Sequence, residues 1–126
     1  GAEGSNLEFL AVTILTSWSK KDLEKVGINQ KIQDQVEILI KLADEAKLSG
    51  IIASAQDIGL ARKISKNIKI FCPGIRNIEN KQDQKRTLTY REFSSLADDN
   101  CYAVIGRPIY NGNPEENIKK IINSEK

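Results

Sequence analysis

Apolar positions along the chain fall into two kinds of segment, which are short nearly continuous runs and longer stretches with helical spacing. The runs cover residues 9–15, 50–53, 68–72 and 102–105. Short apolar runs of this kind are typical of strands covered on both faces of a parallel sheet. Each run precedes a segment with helical features, so the pattern predicts four strand–helix units.

The clearest predicted helix covers about residues 31–48. Its apolar side chains recur at helical spacing, and its charged side chains fall on the opposite side. The apolar set is Ile32, Val36, Leu39, Ile40, Ala43 and Ala46, and the charged set is Lys31, Asp34, Glu37, Lys41 and Glu45. We expect this helix to pack by one face.

Capping signals mark the other predicted helices. Such a signal is a small polar residue followed by an acid three positions later, or followed directly by proline. We expect helices at 19–26, 54–66, 89–97 and from 113 to the end of the chain, and their starts are Ser19, Ser54 with Asp57, Thr89 with Glu92, and Asn113 with Pro114. Ile118, Ile121 and Ile122 of the last helix are expected to face inward.

The order of elements decides the fold class. Four strands that alternate with helices require right-handed crossovers and a parallel sheet, so the chain is predicted to be α/β. An open doubly wound sheet and half of a (β/α)8 barrel both fit, because a full barrel needs about 250 residues.

Composition favours a small-molecule partner. The 126 residues are 40% hydrophobic and 29% charged with a net charge of +2, which gives no basic face for nucleic acid. No apolar run is long enough to span a bilayer. Residues 1–6 lack the features of a signal peptide, so we expect a cytoplasmic location.

The chain contains no histidine, which excludes Ser-His-Asp and Cys-His catalysis and most zinc chemistry. Cys72 and Cys101 border apolar runs and are predicted to be buried free thiols. Ligands of such folds bind at the carboxyl ends of the strands. The residues at these ends are Thr16-Ser17, Ser54, 73–76 and 106–107, and the absence of a carboxylate there argues against a receiver domain and a magnesium site.

Gly106-Arg107 is the strongest candidate for binding an anion. Glycine allows close approach to the backbone, and arginine adds a permanently charged fork that suits phosphate. The alternative is a glycine turn with a surface arginine. Beyond the turn at Pro73-Gly74, the polar loop 77–86 could close on an anionic ligand through Gln84, Lys85 and Arg86, or could simply be solvated.

Four stretches, taken in order, resemble one family. They are LAVTILTS at 10–17, CPGIR at 72–76, DQKR at 83–86 and VIGRP at 104–108. Together they resemble orotidine 5'-phosphate decarboxylase of the bacterial type, over nearly the whole chain from Leu7 onward. The resemblance implies the C-terminal half of a (β/α)8 barrel, with residues 1–126 as one half-barrel of a cytoplasmic lyase of pyrimidine biosynthesis.

The resemblance also implies roles for particular residues in binding orotidine or uridine monophosphate. Thr16 would hydrogen-bond the pyrimidine edge with Ser17 beside it, and Pro73 would form part of the wall around the base. Gln84 would bridge base and phosphate from a closing loop, while Gly106 and Arg107 would bind the phosphate, with Arg76 nearby in support of that site. The family needs no metal or cofactor, and its full-length members are homodimers.

One part of the family pattern is missing from this chain. Decarboxylation in the family uses a lysine among aspartates in a D-x-K-x-x-D motif. No complete motif of this kind occurs here, and the pairs Asp22/Lys25 and Asp44/Lys47 have the wrong spacing. The resemblance places that motif, and an aspartate from the partner subunit, in the N-terminal half. The chain is thus either a fragment of a longer enzyme or a half-barrel on its own, which would expose two strand edges and an apolar face.

Overall fold

The computed structural model of the chain describes residues 4–76 and 87–124. Its centre is a four-stranded parallel sheet in which each strand pairs in parallel with the next, in the spatial order Leu10–Val12, Gly50–Ile52, Lys69–Pro73 and Cys101–Val104. A separate pair of two-residue strands, Ile75–Arg76 and Leu88–Thr89, is also parallel. The prediction of parallel strands alternating with helices is confirmed.

The helices and strands have the following bounds. The strands are β1 (Leu10–Val12), β2 (Gly50–Ile52), β3 (Lys69–Pro73), β4 (Ile75–Arg76), β5 (Leu88–Thr89) and β6 (Cys101–Val104). The helices are α1 (Lys20–Lys25), α2 (Ile32–Glu45), α3 (Ile58–Ile64), α4 (Tyr90–Leu96), α5 (Arg107–Tyr110) and α6 (Pro114–Ser124), with a 3₁₀ turn at Ala55–Asp57. Within the described ranges, none of the helices combines the length and hydropathy needed to cross a bilayer.

The helices cover one face of the sheet, and the core lies between the helices and this face. Ile51 and Ile70 stand side by side in the strand register and are fully buried. Val36 and Ile40 of α2, also fully buried, belong to the same core, as the helical spacing predicted. Burying side chains of this size stabilises the fold by about 1.5–3 kcal/mol each.

The opposite face of the sheet is open. Leu10, Val12, Tyr102 and Val104 are 38%, 51%, 41% and 49% exposed, although all four lie in strands. The rings of Phe71 and Tyr102 stack on neighbouring strands, with centroids 4.8 Å apart. Strands β1 and β6 are the two edges of this sheet in the described residues, so this chain by itself leaves two strand edges and an apolar face uncovered.

Three helix starts follow the predicted capping signals. At α4 the Thr89 amide donates to Glu92 Oε2 at 2.7 Å and the Glu92 amide donates to Thr89 Oγ1 at 3.2 Å. At α1 the Ser19 amide donates to Asp22 Oδ2 at 2.8 Å. At α6 Asn113 Oδ1 accepts from the amides of the second and third helical residues. These bonds, which are reciprocal at α4, satisfy amides that a helix start otherwise leaves without partners.

Several predicted bounds were wrong. Strand β1 ends at Val12 rather than residue 15, although the Thr13 amide adds one more bond to the Ile52 carbonyl at 3.0 Å. The helix expected from residue 54 to 66 begins as the 3₁₀ turn and is helical only over Ile58–Ile64, while the Ser54 hydroxyl accepts from the Gln56 amide at 3.4 Å.

Two predicted inward faces also needed correction. Ala46 is exposed, because α2 ends at Glu45, one residue before it. Ile118 and Ile122 of α6 are 42% and 54% exposed, and only Ile121 packs against the core. Helix α6 follows the edge strand β6, so much of its apolar face has no described element to pack against.

Candidate functional site

Two adjoining pockets lie at the carboxyl ends of the parallel strands. The first, which we call the Thr16 pocket, has a volume of about 250 Å³. The second, which we call the Arg107 pocket, has a volume of about 280 Å³. Pro73, the last residue of β3, lines both pockets. This edge of the sheet is where ligands bind in parallel α/β folds.

The Thr16 pocket is largely apolar with a small polar rim. It is lined by Val12, Ile14, Leu15, Thr16, Ser17, Ile52, Ala53 and Pro73. Thr16 is buried and Ser17 is exposed, and both follow the end of β1. Apolar walls with a few hydroxyl groups suit a flat heterocycle that carries hydrogen-bonding edges.

The Arg107 pocket combines two glycines with two arginines. Its lining consists of Pro73, Gly74, Ile75, Arg76, Val104, Ile105, Gly106, Arg107, Pro108 and Tyr110. Gly74 turns the chain with a φ of 80°, a conformation that other residues rarely adopt, and so places Arg76 in the wall. Two guanidinium groups beside exposed glycine backbone form a site suited to an anion such as phosphate.

Arg76 is held at this pocket by the small sheet β4–β5. In the register of that sheet Arg76 pairs with Thr89, next to the buried Tyr90. Burial raises the pKa of Tyr90, and the positive charge of Arg76 acts in the opposite direction. The Nε atom of Arg76 is buried and has no hydrogen-bond partner among the described residues. A buried donor of this kind is costly unless a ligand or water satisfies it.

The short helix α5 forms the far side of the Arg107 pocket. Gly106 is its N-cap, and the Tyr110 amide bonds back to the Gly106 carbonyl at 3.4 Å. A Cβ atom added at Gly106 would lie 3.8 Å from Cε1 of the Tyr110 ring, which is ordinary van der Waals contact. The ring of Tyr110 therefore lies close to the Gly106 backbone and borders the pocket.

The structure places the predicted site residues in two groups. Thr16 and Ser17 line the Thr16 pocket, and Arg76, Gly106 and Arg107 line the Arg107 pocket, with Pro73 between them. Gln84, like Lys85 and Arg86, lies outside the described residues.

The sequence pattern did not indicate Tyr110, because it predicted no helix between the strand at 102–105 and residue 113. Tyr110 lies four positions after Gly106, which is helical spacing, but a four-residue helix leaves too little periodicity to detect.

Neither cysteine lines either pocket. Cys72 is fully buried, and burial raises the pKa of its thiol to about 12. Both cysteines are free thiols, as predicted. Cys101 is only half-buried, so the predicted burial is complete for Cys72 alone. Residues 4–76 and 87–124 contain no group of three His, Cys, Asp or Glu side chains that could hold a metal ion.

Comparison with solved structures defines the class of fold. The crystal structure of orotidine 5'-phosphate decarboxylase from Lactobacillus acidophilus superposes with a TM-score of 0.72 at 24% identity, over 100% of this chain and 52% of that one. The chain is thus half of a (β/α)8 barrel, with its pockets where such barrels bind ligands.

Comparison of sequences identifies the family. The model of the orotidine 5'-phosphate decarboxylase / HUMPS family matches residues 1–121, and the chain belongs to this family. It is 37% identical over 124 residues to orotidine 5'-phosphate decarboxylase of Wolbachia pipientis, covering 97% of this chain and 54% of that protein. It is 44% identical over 102 residues to the Carboxydothermus hydrogenoformans enzyme of the same name, covering 79% of this chain and 42% of that protein. The chain spans about half the length of the curated relatives it matches.

Proposed function

We propose that residues 1–126 are the C-terminal half of an orotidine 5'-phosphate decarboxylase barrel and supply the phosphate and pyrimidine sides of its active site. The observation that carries this proposal is the Arg107 pocket, in which Arg76, Gly106 and Arg107 come together beside the Thr16 pocket. Family membership and the names of the relatives support the substrate, orotidine 5'-monophosphate, and the product, uridine 5'-monophosphate.

The two pockets divide the nucleotide between them. The phosphate occupies the Arg107 pocket, where Arg107 and Arg76 supply charge and the Gly106 backbone allows close approach. The base occupies the Thr16 pocket, with Thr16 and Ser17 at its edge and Pro73 in its wall. Gln84 bridges the two from the loop outside the described residues.

This half binds the substrate but does not complete the reaction. Loss of carbon dioxide leaves an electron pair on the ring carbon that carried the carboxylate, and a proton must replace the lost group there. The lysine that donates this proton belongs to the D-x-K-x-x-D motif, which this chain lacks. The activity therefore needs a complementary N-terminal half, and the chain alone is inactive.

The binding half still contributes to the rate. Binding energy from a phosphate that does not react can be used to close loops around the base and to organise the reacting groups. Arg107 is therefore expected to affect turnover as well as affinity, although it touches no breaking bond.

Replacing Arg107 tests the proposal in the complete gene product that carries these residues. We expect Arg107→Ala to weaken uridine monophosphate binding by about 2 kcal/mol, roughly thirtyfold, because charge-assisted bonds to a desolvated phosphate are lost. Isothermal titration calorimetry measures the change. Arg91→Ala, which removes an exposed arginine of α4, is the matched control and should bind normally. Equal affinities for Arg107→Ala and the unmodified protein would remove the phosphate site from this proposal.

A second candidate function is a half-barrel without catalytic activity that binds nucleoside monophosphates or pairs with another protein. The missing D-x-K-x-x-D motif favours it. Release of carbon dioxide from orotidine monophosphate distinguishes the two, measured for the complete gene product with and without a complementary N-terminal half. Binding without carbon dioxide release in either mixture would support the second candidate and contradict the first.

A further inference from the structure

The side chain of Asn117 holds the end of α5 from the neighbouring helix α6. Its Nδ2 group donates to the carbonyl oxygens of Ile109 and Asn111, each at 2.9 Å. These two carbonyls belong to the residues on either side of Tyr110. An amide group has two hydrogens for donation, so both are used on the backbone that carries Tyr110.

The turn between the two helices allows this contact. Gly112 has a φ of 96°, and a Cβ atom placed there would lie 4.0 Å from Nδ2 of Asn117. Asn113 then caps α6, because its Oδ1 accepts from the amides of Glu115 and Glu116. The start of α6 is fixed by this cap, and Asn117 projects from its first turns toward the end of α5.

We propose that Tyr110 contacts the phosphate end of the ligand as a wall of the Arg107 pocket, and that Asn117 is the residue that positions this wall. Three observations carry the proposal. Tyr110 lines the pocket, its ring lies beside the Gly106 backbone, and Asn117 binds the backbone on both sides of it. The proposal rests on the phosphate-binding role given to this pocket above.

The ring acts by excluding water. Tyr110 is 63% exposed without a ligand, so the ring borders the mouth of the pocket rather than filling it. A ligand phosphate placed between the arginines and the ring would lose water on one side, and the attraction between opposite charges strengthens as water is excluded. The ring supplies this effect and the hydroxyl is not needed for it.

Affinity for uridine monophosphate, measured in the complete gene product, tests the positioning role of Asn117. Asn117→Asp is nearly isosteric but has no hydrogen to donate, and it places a carboxylate against two carbonyl oxygens. We expect its affinity for uridine monophosphate to fall about tenfold, with the affinity for uridine unchanged. Asn123→Asp, which adds the same charge at an exposed position of the same helix, is the control and should bind both ligands normally.

Two substitutions of Tyr110 separate the ring from the hydroxyl. Tyr110→Phe keeps the wall and should bind uridine monophosphate within about twofold of the unmodified protein, whereas Tyr110→Ala should lose about tenfold. The amide signal of Gly106 in NMR spectra should shift on addition of inorganic phosphate, and this shift should be smaller in Asn117→Asp. If Asn117 had a purely structural role, Asn117→Asp would lower the urea midpoint but leave the ratio of the affinities for uridine monophosphate and uridine unchanged.

The outcomes separate this inference from the proposed function. If Arg107→Ala weakens binding but Asn117→Asp and Tyr110→Ala do not, the inference is wrong and the phosphate site stands. If Arg107→Ala has no effect, the phosphate site itself is wrong and the inference falls with it. An equal loss in Asn123→Asp would show a general effect of charge on α6 and would also overturn the inference.

Discussion

Arg62 joins three elements through one side chain. Its Nη1 donates to the Ile68 carbonyl at 2.8 Å, just before β3, and its Nη2 donates to Asp98 Oδ1 at 2.9 Å, just before β6. The guanidinium also bonds through Nε to the other oxygen of Asp98, which makes the pair bidentate. Arg62 side-chain exposure is 18%, so this pair is less screened than most surface ion pairs.

The Arg62–Asp98 pair gives a pH-dependent contribution to stability. The hydrogen bond from Arg62 holds the pKa of Asp98 well below its usual value. A carboxyl group with a depressed folded-state pKa stabilises the fold above its unfolded pKa of about 3.9, and this contribution is lost as the pH falls. We expect Asp98→Asn to lower the free energy of unfolding by about 1 kcal/mol at pH 7, after allowance for the exposed carboxylate, with a smaller difference at pH 3.

Urea unfolding at the two pH values measures this effect. Asp99→Asn is the matched control, because it removes the neighbouring exposed carboxylate and should change the free energy of unfolding by less than about 0.5 kcal/mol. A deficit of Asp98→Asn that is as large at pH 3 as at pH 7 would contradict the ionic origin of the contribution.

At the scale of elements, strand β2 packs closely against both neighbours at Gly50. A Cβ atom at this position would lie 2.7 Å from the Lys69 carbonyl oxygen and 2.8 Å from Cδ2 of Leu10. The first of these atoms is backbone in the neighbouring strand, so the sheet would have to shift. Gly59 in α3 offers the opposite case, since no atom lies within 4 Å of an added Cβ there.

Alanine at these two glycines should therefore have opposite effects. We expect Gly50→Ala to lower the free energy of unfolding by about 2 kcal/mol, because overpacking displaces a backbone. Gly59→Ala should raise it by about 0.5–1 kcal/mol through helix propensity. Chemical denaturation followed by circular dichroism compares the two variants. If both variants changed the free energy of unfolding in the same direction by similar amounts, the close approach of β1 and β3 would not restrict the size of the side chain at position 50.

At the scale of the whole molecule, the open face of the sheet leaves apolar strand side chains exposed. Apolar side chains from β1 and β6 are about half exposed there, while on the other face the side chains of the two central strands are buried under the helices. Relatives are about twice as long, and a barrel of eight units would enclose this face as its interior. Under the proposed function, the complementary half covers it.

A pair of glutamate substitutions tests this coverage in the complete gene product. Val12 on the open face and Leu42 on the outer side of α2 have similar exposures of 51% and 54%. If the open face is a barrel interior, we expect Val12→Glu to lower the free energy of unfolding by about 3 kcal/mol, because it buries an unpaired charge. Leu42→Glu should change it by less than about 0.5 kcal/mol. Small and equal effects in urea unfolding would mean that the open face stays in water.

Local sequence signals were enough to predict the order of the four strands of the main sheet, the helices other than α5, and most helix starts. Such features depend on short-range signals, as with the reciprocal bonds of Thr89 and Glu92 or the periodicity that buries Val36 and Ile40. The motif stretches also indicated Arg76, Gly106 and Arg107 as binding residues, without showing that they share one pocket.

The assembly of the site depends on tertiary contacts that the sequence pattern does not show. Strands of two residues, such as β4 and β5, have no readable periodicity, so the pairing that brings Arg76 to Thr89 could not be predicted. The same holds for α5, and hence for Tyr110 and for its support by Asn117. Exposure of Ile118 and Ile122 depends on where the sheet ends. Local pattern fixes which residues form an element, whereas pockets, edges and exposed faces depend on contacts between residues that are far apart in the chain.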